Sequence, residues 1–390
     1  MKIIIRNCNV AELDIPLKYA TKLYNEFAIR HPNAFYLRTR QRGMQNWDGK
    51  IKYITKTGQF KIGLLPSVYK RCIELGIKPI IVDMRQPLPK VSKVVTQIGK
   101  YKLRPEQEKA VKAILSNKLG ETPFQIGVLD YTVNAGKTLI MSALYLSYKK
   151  QLKTLLITND SDWLNQARDE FKQYLPGEDI TFVQGKVLNW SNFTIGMVQS
   201  ISRNMKYYQN ELAKIDMVLI DEADQGGSKQ YQNVITRLFN TRVRIGLSGT
   251  IYMSKLAKDK VKNMNLRCFF GDVIAEFKLK DSIKKGYSTK TIVKTVEGKP
   301  WFGNWESDCM SYNEIYDDSI THNKIAWTMA LDRLKWNLNQ GRYPALVVCK
   351  HIAHCENLCK FFKKKLDNKY NIACVHVNTH TKLRQQIMKD

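Results

Sequence analysis

Short apolar runs alternate with amphipathic segments over residues 124–249. The runs are rich in β-branched residues and have the length of buried strands, whereas segments such as TLIMSALYLSYKK show a helical spacing. The predicted strands are 124–130, 154–158, 193–198, 216–221 and 243–249. Strands separated by helices form βαβ units, so the pattern predicts an α/β fold with a parallel sheet.

The pattern changes on both sides of this region. Residues 84–100 contain two prolines among basic residues, which predicts a linker. Upstream, residues 36–63 predict antiparallel strands with a tight turn at Asp48-Gly49. Downstream, the apolar runs 345–349 and 372–377 predict strands that begin a second α/β set. We therefore expect three domains, at 1–95, 96–285 and 286–390.

The net charge of the chain indicates the kind of partner that it binds. The chain has 63 Lys and Arg against 35 Asp and Glu, a formal net charge of +28 in 390 residues. Residues 1–100 alone hold 19 basic against six acidic side chains. Such an excess favours a polyanion, most often nucleic acid, over a merely solvated surface.

The sequence also argues against several classes of protein. The N-terminus is charged too early for a signal peptide, and no run of about 18 apolar residues could span a membrane. Eight cysteines without framework spacing are typical of reduced thiols. We expect a cytoplasmic protein without a membrane partner.

A phosphate-binding loop follows the first predicted strand. Gly136, Lys137 and Thr138 open an apolar helix, and this strand–loop–helix context is the one that G-x-x-x-x-G-K-[ST] requires. Tyr131 replaces the first glycine. Asn134 replaces another common glycine, and asparagine tolerates positive φ better than most residues. The pattern predicts a nucleotide site in which Lys137 binds phosphate and Thr138 binds Mg²⁺.

Two carboxylates end the strand in MVLIDEAD, residues 217–224. Asp221 is predicted to hold Mg²⁺ through its water shell, and Glu222 to polarise an attacking water. A charged turn after a strand is the simpler interpretation of DEAD alone. Together with the loop around Lys137, however, these residues predict ATP and Mg²⁺ as cofactors.

The ordered motifs resemble those of superfamily 2 helicases. LRPEQ (103–107) is similar to the Q motif, TVNAGKT (132–138) to motif I, DEAD (221–224) to motif II and LSGT (247–250) to motif III. The resemblance implies a RecA-like lobe containing the ATP site, followed by a partial second RecA-like lobe and preceded by a small α+β domain.

The resemblance also implies roles for individual residues. Gln107 would read the adenine edge and Arg104 would support its pocket. Ser248 and Thr250 would couple the ATP state to lobe movement, with Asp224 as their partner. The implied catalytic residues are Lys137, Asp221, Glu222, Ser248 and Thr250. The implied cofactor-binding residues are Arg104, Gln107, Thr132, Val133, Asn134, Ala135, Gly136, Lys137, Thr138, Asp221 and Asp224.

Nucleic-acid contacts are expected from two sources. On the predicted N-terminal strands, Arg38, Arg40 and Arg42 alternate and would share one face, while Trp47 beside Lys50 would offer a stacking surface. Trp47 as the core of a small domain is an equal alternative. From the helicase resemblance, Gln166, Gln199 and Ser200 fall where segments that contact nucleic acid are expected.

QNWDGKIKYI (45–54) and CKHIAHCENL (349–358) resemble segments of UvsW-type phage helicases. This resemblance implies an ATP-dependent helicase that remodels branched DNA by unwinding, branch migration and annealing in phage recombination and replication. It would act in the host cytoplasm on branched or single-stranded DNA. The residues themselves do not distinguish DNA from RNA.

One expected motif is not found. No Q-x-x-G-R-x-x-R pattern follows residue 286, although a second lobe normally supplies such arginines to the γ-phosphate. We therefore expect this chain alone to be weakly active or inactive as an ATPase, and the sequence leaves open a fragment, a split gene or a second polypeptide that completes the lobe. The alternative function is a non-catalytic nucleic-acid-binding protein with a degenerate nucleotide site.

Overall fold

The computed structural model describes residues 1–40, 43–91, 93–185, 187–252, 257–290, 293, 311–342, 344–367 and 369–387. The chain divides into two compact units, Met1–Lys290 and Thr291–Asp390.

The strands are β1 (Lys2–Ile5), β2 (Val10–Asp14), β3 (Ala28–Arg30), β4 (Lys50–Lys52), β5 (Gln59–Lys61), β6 (Ile80–Asp83), β7 (Gln97–Ile98), β8 (Tyr101–Lys102), β9 (Lys118–Leu119), β10 (Thr122–Pro123), β11 (Ile126–Tyr131), β12 (Thr154–Thr158), β13 (Ile180–Gln184), β14 (Val187–Leu188), β15 (Phe193–Met197), β16 (Met217–Asp221), β17 (Val243–Ser248) and β18 (Val273–Phe277).

The helices are α1 (Leu17–Glu26), α2 (Ala34–Arg40), α3 (Leu65–Glu74), α4 (Pro105–Leu115), α5 (Lys137–Ser147), α6 (Ser161–Tyr174), α7 (Val198–Arg203), α8 (Met205–Ala213), α9 (Lys229–Ile235), α10 (Ala257–Phe270), α11 (Leu279–Lys284), α12 (Tyr312–Tyr316), α13 (Lys324–Asn339), α14 (Ile352–Lys365) and α15 (Thr381–Ile387). Short 3₁₀ turns lie at Ile62–Leu64 and Ala223–Gln225, and a π turn lies at Asp317–Thr321.

An eight-stranded sheet organises the first unit, in the order β14-β13-β15-β12-β16-β17-β11-β18. Seven strands are parallel, and β14 is an antiparallel edge. All five strands predicted between residues 124 and 249 are present, which confirms the α/β fold. The sequence patterns missed β13, β14 and β18. β13 and β18 are only partly buried, so their apolar runs are weaker than those of the central strands.

The N-terminal segment forms a smaller sheet in the order β5-β2-β1-β6. Its apolar residues and those of the large sheet and its helices belong to one continuous core. Gly63 lies against the end of α10, where an added β-carbon would be 2.2 Å from the carbonyl oxygen of Arg267. The segments 1–95 and 96–285 therefore share a single compact unit.

Arg244 of β17 joins the two sheets from within the core. Its guanidinium is 1% exposed and donates to the Cys8 carbonyl and the Asn9 side-chain oxygen, both at 2.8 Å, and to the Phe269 carbonyl at 3.3 Å. Burial lowers the pKa of Arg244 to about 10. Three oxygen acceptors compensate for taking this cation out of water.

The strand predicted for the N-terminal arginines is wrong. Arg38 and Arg40 lie on helix α2, and Arg42 lies outside the described residues. Ala34 is buried and Leu37 half-buried, and this spacing of three suits a helix rather than the alternation of a strand. Residues two apart on a helix point in nearly opposite directions, so Arg38 and Arg40 do not share one face.

The two strands predicted in the second unit are also wrong. Residues 345–349 and 372–376 have no regular structure, and no strand occurs among the described residues of Thr291–Asp390. A strand needs a hydrogen-bonded neighbour, and neither run has one there. Instead, Leu331, Leu358, Phe362 and Leu366 form a small core between α13 and α14.

Within the described residues, no helix has the length and apolar character needed to cross a bilayer.

Candidate nucleotide site and nucleic-acid interface

The loop between β11 and α5 has the backbone of a phosphate cradle. Asn134 has φ +63° and Gly136 φ +72°, so the prediction that Asn134 adopts positive φ is confirmed. These conformations turn the chain from the strand into α5, which begins at Lys137. Thr132 and Ala135 are buried, whereas Val133 is exposed. Backbone N–H groups at a helix start of this kind favour bound phosphate.

Tyr131 replaces a glycine without disturbing this loop. Its side chain is buried, and its hydroxyl donates a 2.8 Å hydrogen bond to the Glu106 carbonyl at the start of α4. Burial raises the pKa of Tyr131 to about 12, so the phenol stays neutral and remains a donor. The aromatic ring therefore fixes α4 against the strand that leads into the loop.

Lys137 meets both carboxylates that end β16. Its Nζ lies 3.3 Å from Asp221 Oδ1 and 3.5 Å from Glu222 Oε1. The side chains lie close together because the strands that lead to them, β11 and β16, both flank β17. Parallel strands also end at the same edge of a sheet. The loop lysine and the DEAD carboxylates thus form one charged cluster.

Glu222 differs electrostatically from its neighbours. Burial raises the pKa of Glu222, Lys137 opposes this rise, and the carboxylates of Asp221 and Asp224 reinforce it. The residue also has φ +51°, a conformation that costs energy for a side chain other than glycine and is concentrated at functional sites. Half of its side chain is exposed, so it can reach solvent water.

Asp221 is suited to hold a cation. Its Oδ1 is buried and accepts no hydrogen bond, and its ion-pair partner is the Lys137 ammonium. Among the described residues, no group of three or more His, Cys, Asp or Glu forms a metal cage. A cation at Asp221 would therefore complete its coordination with the Thr138 hydroxyl, water and nucleotide oxygens.

Side-chain hydroxyls connect the LSGT segment to the DEAD segment by hydrogen bonds. Ser248 Oγ donates to Asp224 Oδ1 at 3.1 Å and lies 3.3 Å from Thr250 Oγ1. This confirms the predicted contact between Asp224 and the hydroxyl pair. A change in charge near Asp224 can therefore reach the end of β17 through one hydrogen bond.

Arg104 and Gln107 brace the loop from the other side. Arg104 donates to the Asn134 carbonyl at 3.0 Å, and Gln107 Nε2 donates to the Ala135 carbonyl at 2.9 Å. Gln107 Oε1 also accepts from the Arg104 backbone N–H at 2.8 Å. Both ends of this buried amide are thus already hydrogen-bonded within the protein.

The residues expected to contact nucleic acid in the large sheet follow neighbouring parallel strands. Gln166 is exposed on α6, after β12, and its amide donates to Glu170. Gln199 on α7, after β15, donates to the Asn159 carbonyl, and Ser200 accepts from the Gly185 N–H. They lie at the same edge of the sheet as the nucleotide loop, although no contact joins Gln166 to the other two in the described residues.

The N-terminal interface differs from the expected one. Trp47 is half-buried, donates to the Lys50 carbonyl at 3.0 Å and packs its ring edge-on to His31. It supports the turn that precedes β4, where Lys50 is exposed. The exposed aromatic side chains are Phe35 and Tyr36 on α2. The signal missed in the sequence was this aromatic pair directly before Arg38 and Arg40.

Comparison with known proteins supports the helicase prediction. The family described as type III restriction enzyme, res subunit, matches residues 100–253, which span the loop, DEAD and LSGT. The chain is 23% identical over 366 residues to the ATP-dependent DNA helicase UvsW of Enterobacteria phage T4, covering 86% of this chain and 68% of that protein. These matches support a relationship to superfamily 2 helicases and to UvsW.

Other comparisons agree with this assignment. The chain is 26% identical over 147 residues to a putative ATP-dependent RNA helicase, L396, of Acanthamoeba polyphaga mimivirus, covering 37% of this chain and 27% of that protein. Two solved structures of T4 UvsW share the fold, with TM-scores of 0.56 and 0.55 at 21% and 20% identity. The first match covers 70% of this chain and all of the solved one, and the second covers 100% and 77%. Both relatives are named ATP-dependent helicases, which implies ATP-dependent helicase activity and a nucleic-acid substrate for this chain.

Proposed function

We propose that this helicase uses ATP hydrolysis to remodel branched DNA, by unwinding, branch migration and annealing, in phage recombination and replication. The observation that carries the proposal is the cluster of Lys137, Asp221 and Glu222, linked through Asp224 to Ser248. In this proposal residues 1–95 grip DNA, 96–285 hold ATP and 286–390 belong to the second lobe. The protein would act in the cytoplasm of the host.

Each residue of the cluster has a proposed role. Lys137 leaves its ion pairs to bind the β- and γ-phosphates, and Glu222 orients the water that attacks the γ-phosphorus. Mg²⁺ bound with ATP would neutralise phosphate charge. Asp221 and Thr138 would hold it, which fits the buried Oδ1 of Asp221 once Lys137 has left its ion pair for the phosphates. Asp224 would transmit loss of the γ-phosphate to Ser248 and Thr250.

DNA, single-stranded or branched, is the proposed substrate. The T4 relative is named a DNA helicase and the mimivirus relative a putative RNA helicase. The longer match is to the DNA enzyme, and the basic α2 with exposed Phe35 and Tyr36 provides cations and stacking surfaces for unpaired bases. Arg38, Arg40, Lys50, Gln166 and Gln199 are proposed contacts.

A direct test compares Lys137→Ala and Glu222→Gln with the wild type. Both variants should lose at least 100-fold in ATP turnover, since each removes a group that stabilises the transition state, yet bind a labelled Holliday junction with unchanged affinity. Lys118→Ala is the control, because Lys118 pairs with Glu121 on an exposed turn. Turnover in either cluster variant at the wild-type rate would contradict the assignment. Equal remodelling of RNA and DNA junctions would contradict the substrate.

A second candidate is a motor completed by another polypeptide. Leu346 and Val348 in the second unit are 87% and 83% exposed, which is unusual for a run of this apolar character. Strands of another chain could cover them. Under this alternative, the protein alone binds DNA but hydrolyses ATP weakly, and turnover rises when the completing polypeptide is added. Strong DNA-stimulated turnover by the purified chain alone would exclude it.

A further inference from the structure

The phosphate-binding loop between β11 and α5 accounts for the phosphates but does not identify the residues that face the base of the nucleotide. Gln107 is 2% exposed, and both ends of its amide are bonded to the backbone of residues 104 and 135. Glu106, the next candidate, is a carboxylate that is 5% exposed. Neither offers a flat surface to a purine. Arg104 remains, with its guanidinium bonded to the Asn134 carbonyl of the loop itself.

A second segment packs against this guanidinium. The Tyr287 ring, which follows α11, lies beneath Arg104 with the guanidinium carbon 4.4 Å from the ring centroid. Tyr287 is 36% exposed. A guanidinium stacked on an aromatic ring loses rotational freedom and presents its other planar face for stacking.

Two ion pairs hold α11 in the position that lets Tyr287 contact Arg104. Lys285 Nζ lies 2.7 Å from Glu106 Oε2, and Lys278 pairs with Asp130 at the end of β11. Lys285 is two residues before Tyr287 and Glu106 is two residues after Arg104, so the Lys285–Glu106 pair holds the ring close to Arg104. Glu106 therefore acts as an anchor for α11.

We propose that Tyr287 is a positioning residue for base recognition, which holds Arg104 as a planar platform against which the purine of ATP stacks. The inference rests on the proposed nucleotide site at Lys137. It adds a segment more than 100 residues away in the sequence to the base side of that site. Tyr287 lies within the first unit, three residues before its last residue, Lys290.

The test separates the base from the phosphates. Affinities of the full chain for ATP and for inorganic tripolyphosphate, which has no base, are measured by calorimetry with Mg²⁺. Tyr287→Leu keeps an apolar side chain but removes the π-face, and Tyr287→Phe keeps the π-face. Loss of one cation–π stack should weaken ATP binding by about 5- to 10-fold in the leucine variant. Tripolyphosphate binding should change less than about twofold, and the phenylalanine variant should match the wild type.

Turnover gives an independent measure. In Tyr287→Leu the KM for ATP should rise by the same factor while kcat stays within about twofold, because the reacting phosphates are held elsewhere. Unchanged ATP affinity in Tyr287→Leu, or equal weakening of ATP and tripolyphosphate, would overturn the proposal and leave the nucleotide site intact. A wild-type chain that binds neither ligand would overturn the nucleotide site and the base platform together.

Discussion

Asn134 shows how one side chain can stand in for glycine in a phosphate loop. Its φ of +63° is a region that β-branched residues enter only with strain, whereas asparagine and glycine accept it. The sequence alone predicted this conformation, because the rule depends on a single residue and its two dihedral angles.

Substitution at Asn134 should therefore follow backbone conformation. Asn134→Gly should bind ATP as the wild type does. Asn134→Val should lose roughly 1–2 kcal/mol of stability and about tenfold in ATP affinity, because the loop must strain or flatten. Thermal unfolding with and without ATP measures both effects. An Asn134→Val protein with full ATP-dependent stabilisation would contradict the explanation.

The pKa of Glu222 gives a prediction about pH at the same scale. In the proposed mechanism Glu222 must be ionised to polarise water, and burial raises its pKa, so turnover should begin to fall at a higher pH than an ordinary glutamate would give. The carboxylate of Asp224 contributes to this rise. Asp224→Asn should therefore shift the acidic limb of the kcat profile to lower pH.

Circular dichroism at each pH serves as the control, since it separates loss of turnover from acid unfolding. An acidic limb that stays in place in Asp224→Asn, or moves to higher pH, would show that Glu222 does not control turnover.

At the scale of elements, strand β17 has two functions. One end presents Ser248 to Asp224, and the other carries Arg244 into the N-terminal sheet. Strand β17 itself was predictable from its apolar run. The role of Arg244 was not, because its partners Cys8 and Asn9 are more than 230 residues away in the sequence.

Replacing Arg244 tests the connection between the sheets. Arg244→Met should lower the free energy of unfolding by roughly 3 kcal/mol, since three buried oxygens lose their donor. Arg168→Met removes a partly exposed arginine that pairs with Asp169 and lies over the Phe182 ring, and it should stay within about 0.5 kcal/mol. Urea denaturation followed by tryptophan fluorescence provides the comparison. Equal destabilisation by both variants would contradict the role of Arg244.

The strand predicted for Arg38, Arg40 and Arg42 was wrong because the period of the whole element was misread. Arg38, Arg40 and Arg42 alternate in the sequence, but alternation of charged residues says little when the apolar residues follow another period. Ala34 and Leu37 set the period, and they are three residues apart. The contact of Tyr287 with Arg104 was equally hidden, because it depends on how α11 packs rather than on any local pattern.

At the scale of the whole molecule, net charge and its placement have separate effects. The charge of +28 attracts any polyanion, whereas the basic residues near α2 and β4 would make particular phosphate contacts. The triple variant Arg38→Ala, Arg40→Ala, Lys50→Ala should reduce the slope of log affinity against log salt by about 2–3.

A second triple variant controls for charge alone. Replacing Lys112, Lys118 and Lys214 with alanine removes the same net charge, but each of these lysines is paired with a nearby glutamate. Its salt dependence should stay close to that of the wild type. Filter binding of single-stranded DNA between 50 and 300 mM salt, roughly the range in which such slopes are measured, distinguishes the two. Equal slopes for both triples would mean that α2 and β4 make no special contacts.

The close packing at Gly63 has an evolutionary consequence. The carbonyl of Arg267 fills the space that any side chain at position 63 would need, and Arg244 binds Cys8 and Asn9 in the same core. A recombination event that exchanged only the N-terminal sheet would separate these residues and leave a clash or unpaired oxygens. Inheritance of residues 1–95 and 96–285 as one block is therefore favoured, and chimeric proteins should be joined after residue 290 rather than near residue 95.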